Sequence, residues 1–147
     1  MSALRELYQE MIIDHSRRPR NFGALPEANY RKEGFNPLCG DRVTIHLLEQ
    51  NDVVTKLHFE GCGCAISMAS ASLMTETLLG KNRSEIETIF QLFHQLITQG
   101  DAPDELLGKL TVLAGVAEFP ARVKCATLAW HTLKAALAGD PQPVCTE

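Results

Sequence analysis

A chain of 147 residues, 45% hydrophobic and 22% charged, suits one folded domain with its own core and excludes disorder as the default. A net charge of −4 argues against a general nucleic-acid groove, and no apolar run approaches the length of a membrane span. The opening residues Met1-Ser2-Ala3-Leu4-Arg5-Glu6 hold no secretory apolar core, so the expected location is the cytoplasm. In that reducing setting, five cysteines point to metal ligation or thiol chemistry rather than to a disulfide framework.

Leu4, Leu7, Tyr8, Met11 and Ile12 recur at helical spacing and predict an amphipathic opening helix with Ser2 as its cap. It should fade near His15, because Pro19 disfavours helix just before it. Arg17, Arg18 and Arg20 follow as a basic turn, either solvated or a docking patch for an acidic partner. Residues 27–36 read as extended with weak patterning. Val43, Ile45 and Leu47 then alternate with polar neighbours, and Leu57 and Phe59 resume the alternation after Gln50-Asn51-Asp52. The two runs predict an antiparallel hairpin. His46 and His58 fall on its polar phase and read as surface residues before ligands.

From Ala65 to Leu79 the period becomes helical, beginning with small residues and stopping at Gly80. Ser84 with Glu87 has the pattern of a capping box for a helix carrying Ile86, Ile89, Phe90, Phe93, Leu96 and Ile97. Gly100-Asp101-Ala102-Pro103 breaks it, and a short helix through Leu106, Leu107 and Leu110 follows. Pro120 can open the last helix, with Trp130 as core. Together these predict one α+β domain over residues 1–140, a small antiparallel sheet of about three strands with helices on one face. Residues 141–147 read as a disordered tail.

Four of the five cysteines lie in three distant stretches, each where one element hands over to another. In extended backbone, side chains two apart point the same way, so Cys39 and Asp41 can face one ion. Cys62 and Cys64 share that spacing at a strand end, and Cys64 also precedes a helix, whose N-terminus favours a thiolate. Cys125 lies early in the last helix between Arg122 and Lys124, whose charge favours thiolate and attracts an anionic sulfur species. Zinc takes four ligands, and the chain offers five candidates: Cys39, Asp41, Cys62, Cys64 and Cys125. Spacing alone leaves open which is omitted. His131 lies nearly two turns beyond Cys125 and fits the site poorly, while His94 reads as helix surface. Neither Cys-x-x-Cys knuckle of a structural zinc site is present, which favours a metal site that opens and does work.

The motifs Ile13-Asp14-His15 with Pro19-Arg20-Asn21, Cys39-Gly40-Asp41, Gly63-Cys64-Ala65 through Ser72, and Lys124-Cys125-Ala126 resemble the U-type iron–sulfur assembly family of IscU-type scaffolds and their SufU relatives. The resemblance spans nearly the whole chain. It implies an α+β fold and a metal site of Cys39, Asp41, Cys64 and Cys125. Cys62 is then extra, as bystander, sulfur relay or competing ligand, and Cys145 has no matched counterpart. Lys124 stands where IscU-type scaffolds carry His, and Phe119-Pro120-Ala121-Arg122-Val123 replaces their chaperone-docking motif. The stretch from Cys64 to Cys125 is also longer, so the SufU-like branch is favoured. That branch implies a zinc-dependent sulfur-transfer protein, a sulfur acceptor working with a pyridoxal-phosphate-dependent (SufS-like) cysteine desulfurase and downstream iron–sulfur assembly proteins. Cys39 is the expected nucleophile and Cys125 the second choice, with Arg122 and Lys124 attracting the persulfide. The alternatives are a scaffold that holds iron or an iron–sulfur cluster and delivers it, and a non-catalytic zinc-stabilised binding module.

Overall fold

The computed structural model describes residues 3–101, 105–139 and 144–145; the proposed Ser2 cap and residues 141–143 and 146–147 of the expected tail lie outside them. Helix α1 spans Ala3–Arg17, two residues beyond the expected fade, and is followed by strands β1 (Tyr30–Asn36), β2 (Asp41–Gln50) and β3 (Val53–Cys62). Helices α2 (Ala65–Leu78) and α3 (Arg83–Gln99), a kinked 3₁₀ segment (Glu105–Glu118) and α4 (Pro120–Ala138) come next. A two-residue strand, β4 (Val144–Cys145), closes the described chain.

The sheet order is β3-β2-β1-β4, with β1–β2 and β2–β3 antiparallel and β4 parallel to β1. The expected three-stranded antiparallel core is present. Within the tail expected to be disordered, Val144 and Cys145 instead pair with Gly34 and Phe35. The edge of β1 otherwise presents unpaired backbone groups, and two residues suffice to cover part of it.

Asn51 and Asp52, both with positive φ (52° and 67°), make the two-residue β2–β3 turn. Val43, Ile45, Leu47, Leu57 and Phe59 are buried and share one sheet face, on which the helices pack. Helix α4 lies on β1 and β2, while α2 lies between α1 and α4 and touches β3. The small residues of α2 (Ala69, Ser70, Ala71, Ser72) are buried because that helix has neighbours nearly all round. Trp130 stacks on Phe93 at 4.4 Å between ring centroids, and its indole N–H donates to Ser70 Oγ at 3.1 Å.

Two local expectations change. The capping box of α3 is Asn82 with Glu85, two residues earlier than Ser84 with Glu87. His46 is not a surface residue: it is buried between its register neighbours Arg31 and His58, and its Nε2 lies 2.7 Å from Glu60 Oε1. Its strand phase is polar, but cross-strand neighbours cover it.

Gly34 lets α4 approach the sheet, because a Cβ there would collide with Thr132 Oγ1. Gly34→Ala is expected to lower unfolding free energy by about 1–3 kcal/mol through overpacking, read from chemical denaturation. His15 is 3% exposed, with Nδ1 2.7 Å from Ser72 Oγ, which also accepts the Arg20 amide at 2.8 Å. Burial holds the His15 imidazole below its ordinary 6.5, Arg20 adding to this and Glu76 opposing it. The unfolded chain therefore binds more protons below that value, and stability drops as pH falls through 6.5. His131 contributes with the same sign, again through burial. Denaturation midpoints between about pH 7 and pH 5 should fall for the wild type and fall less steeply for His15→Gln.

Candidate metal centre

One end of the sheet collects the chemistry. The C-terminal end of β1, the N-terminal end of β2 and the C-terminal end of β3 coincide there because the three strands are antiparallel. Asn36 pairs with Asp41 across a four-residue hairpin loop, Pro37-Leu38-Cys39-Gly40. Asn36 Oδ1 accepts the Leu38 amide at 3.2 Å, and Gly40, at φ +71°, turns the chain into β2. Cys39 is thereby exposed at the loop while Asp41, the first residue of β2, is fully buried.

Chain direction changes again after β3. Cys64 is the N-cap of α2: its thiol accepts the Ser67 amide at 3.4 Å, and its own amide donates to Asp41 Oδ1 at 2.9 Å. Cys125 enters from α4, which lies on β1, and is 1% exposed. Its Sγ lies 3.2 Å from Cys39 Sγ and 3.9 Å from Asn36 Nδ2. Ligand atoms of Cys39, Asp41 and Cys125 all lie within 4.8 Å of one another.

Asp41 Oδ2 is buried and accepts no hydrogen bond. A buried carboxylate oxygen left without a partner is costly, and a cation is the natural compensation. Two thiols and one carboxylate form a donor set of the kind zinc takes. The residues present therefore fit a thiophilic divalent ion.

Cys64 does not join the three-residue cluster, although its amide bonds Asp41 directly. Its bond to Ser67 uses one sulfur lone pair and leaves others for a cation. Cys62 stands on the opposite sheet face: it pairs with exposed Arg42, whereas Asp41 on the same strand is buried. It lines an outer groove with Arg31, Phe35, Arg42 and Glu60. Cys145 is exposed and pairs with Phe35.

The charge argument for Cys125 meets an opposing effect. Burial pushes its thiol well above the ordinary value, and the neighbouring Cys39 thiol and Asp41 carboxylate add to the rise. Lys124 is exposed. Arg122 is exposed, and its pKa is raised by its nearness to Cys125 first, then to Cys64 and Cys39. Of the basic turn, Arg17 and Arg18 are exposed, but Arg20 is committed to Asp14 at 2.6 Å. His94 is exposed, and His131 packs edge-on against Phe90, away from the thiols.

These features define a candidate cysteine–carboxylate metal centre on an α+β domain, its three clustered donors coming from a hairpin loop, the start of β2 and α4. The chain belongs to the NifU-like N terminal domain family, whose model matches residues 7–139. It is 40% identical over 135 residues to the zinc-dependent sulfurtransferase SufU of Bacillus subtilis (strain 168), covering 91% of each chain. It is also 40% identical over 140 residues to the iron–sulfur cluster assembly scaffold protein IscU of Thermotoga maritima, covering 93% of this chain and 96% of that one. The crystal structure of FiSufU from Fervidobacterium islandicum AW-1 superposes with a TM-score of 0.82 at 36% identity, covering 90% of this chain and 98% of that one. The resemblance read from the motifs is thus borne out at the level of family and fold. No helix among the described residues is long and apolar enough to cross a membrane.

Two residues of the centre escape a reading of cysteine spacing. Asn36 is 1% exposed and reaches Cys125; the Asn-Pro step before the loop was its only trace in the sequence. At Gly63 an added Cβ would lie 2.6 Å from Asp41 Oδ1 and 3.1 Å from Ser67 Oγ. The absence of a side chain at Gly63 lets the Asp41 carboxylate sit under the helix cap. Gly63→Ala, which replaces no donor atom, is expected to reduce bound zinc per chain about tenfold under competition with a chelator. Retained far-ultraviolet circular dichroism with that loss supports the assignment; wild-type zinc retention contradicts it.

Proposed function

We propose that this protein accepts sulfur from a cysteine desulfurase, as a zinc-dependent sulfurtransferase of iron–sulfur cluster assembly. The observation that carries the reading is the contrast at the centre: an exposed thiol, Cys39, rests on a buried carboxylate, Asp41, and a buried thiol, Cys125. A partner's persulfide can approach the first, while the other two keep the geometry. The zinc-dependent sulfurtransferase SufU, similar over nine-tenths of the chain, points the same way.

Cys39, Asp41, Cys64 and Cys125 are the residues that hold zinc. When bound, zinc keeps its thiols deprotonated and brings no redox chemistry of its own. Cys39 is the nucleophile: its sulfur attacks the outer sulfur of the desulfurase persulfide, and the desulfurase cysteine leaves as the thiolate. Its loop carries exposed Pro37 and Leu38 and a glycine hinge at Gly40, so it moves at little cost. Arg122 offers the cationic group that receives the anionic persulfide. Lys124 supplies further positive charge at the rim.

The partner is a pyridoxal-phosphate-dependent desulfurase of the SufS-like kind. Exposed Leu38 (76%), Phe119 (59%) and Ile13 (47%) offer it apolar contacts. Ile13, Phe119 and Arg122 also line a cavity of about 390 Å³ between α1, the 3₁₀ segment and α4.

The test is transfer of radioactive sulfur from a desulfurase to Cys39→Ala, Cys64→Ala and Cys125→Ala variants, with zinc content measured in parallel. Cys39→Ala should lower labelling by about tenfold or more. Normal labelling of Cys39→Ala would falsify the role given to that residue. The scaffold reading has its own support in the two adjoining thiols and in the similarity to the T. maritima IscU. It predicts instead that anaerobic reconstitution yields a stable cluster that passes intact to an apo-protein.

A further inference from the structure

Among the described residues, Cys39 has one sulfur neighbour in hydrogen-bonding contact. Cys125 Sγ lies 3.2 Å from Cys39 Sγ, although the two are 86 residues apart in the chain. Cys64 turns its thiol to the Ser67 amide, Cys62 stands on the other sheet face, and Cys145 lies on β4 beside Phe35. The contact is made to the sulfur attached to the Cys39 Cβ. When Cys39 carries a persulfide, that same atom becomes the inner sulfur.

We propose that Cys125 is the resolving thiol of this centre, converting a persulfide on Cys39 that finds no acceptor into sulfide and an internal Cys39–Cys125 disulfide. The inference rests on the reading that Cys39 takes the persulfide. The Cys125 sulfur attacks the inner sulfur and forms a new S–S bond. The bond between that sulfur and the outer one breaks, and its electron pair leaves with the outer sulfur. Cys125 reacts as the thiolate, so the outer sulfur leaves as hydrosulfide with the proton it already carries. Cys125 is oxidised to the disulfide level, the expelled sulfur is reduced to sulfide, and no outside oxidant is consumed.

The geometry favours this route over its competitors. Closing 3.2 Å to a disulfide bond of about 2.05 Å asks for roughly 1 Å of movement, within reach of a loop hinged at Gly40. Attack on the outer sulfur would instead move the persulfide to Cys125, whose 1% exposure leaves a persulfide there to be accommodated in buried surroundings. Burial of Cys125 also keeps outside thiols from taking its place. The product disulfide blocks Cys39, so a reaction of the thiol–disulfide exchange class, drawing on a dithiol reductant, must follow before another sulfur is accepted. The centre therefore has two exits: delivery to an acceptor thiol, or release as sulfide with a reducing step to reset it.

The test uses the full-length protein as isolated. It is loaded with inorganic tetrasulfide, desalted and followed without reductant, by sulfide release and by non-reducing peptide mass mapping. The expected result is decay of the extra sulfur on Cys39 in step with sulfide release and with a crosslink joining the Cys39 and Cys125 peptides. Cys125→Ser should hold the persulfide on Cys39 about tenfold longer, while Cys64→Ser should still form the crosslink. Diamide, which joins contacting thiols with no sulfur donor, should give the same Cys39–Cys125 crosslink in the wild type. Extra sulfur found on Cys125, a crosslink to any other cysteine, or no crosslink with diamide overturns the proposal. Chemical loading separates this outcome from the functional reading. Failure of a desulfurase to label Cys39 sinks sulfur acceptance and leaves the resolving chemistry standing, and the reverse also holds.

Discussion

A carboxylate shut away from water organises this molecule. Asp41 is fully buried at the first position of β2; one oxygen accepts the Cys64 amide and the other accepts nothing. An unpaired buried charge costs several kcal/mol unless a cation or donors compensate it. The hairpin loop, the helix cap of α2 and the second turn of α4 all converge on this group. Gly63 keeps room for it, and Asn36 braces the thiol beside it. A sheet end that gathers three chain reversals gives such a group neighbours without asking any one segment to supply them all.

The donors around Asp41 differ in access, and that difference turns a metal site into a site for chemistry. Cys125 is locked in a helix packed on β1, with its thiol pushed up by burial. Cys64 is tied to the N-terminus of α2. Cys39 alone sits on an exposed loop, bounded by a proline and a left-handed glycine. Donors held on helices and one on an exposed loop suit a centre that releases one ligand and keeps the rest. Under the resolving-thiol proposal, the contact between the exposed thiol and the buried one decides what becomes of sulfur that is not passed on.

Much of this was legible in the sequence because the strongest patterns are local. Alternation at Val43, Ile45, Leu47 and at Leu57, Phe59 marked the hairpin, and Pro120 and Gly139 bracket α4 as their chemistry requires. The Cys-x-Asp step did put a thiol and a carboxylate together, but through the left-handed turn at Gly40 rather than through extended backbone, since β2 begins only at Asp41. The readings that changed depend on tertiary context. Cys62 shares the two-residue spacing with Cys64, but β3 ends at Cys62 and the chain turns through Gly63, so the two thiols part. His46 has a polar phase but is covered by neighbours from two other strands. Arg122 and Lys124 suggested a thiolate at Cys125, yet burial of that thiol acts in the opposite direction. Strand β4 is too short to leave a pattern at all.

The central claim is that Cys39, Asp41, Cys64 and Cys125 hold one ion together. Zinc X-ray absorption on the purified protein tests it most directly. The account predicts a four-coordinate zinc with three sulfur neighbours at about 2.3 Å and one oxygen at about 2.0 Å. A shell of four sulfurs, which would bring in Cys62 and leave the Asp41 carboxylate uncompensated, or a shell with no sulfur, would contradict it.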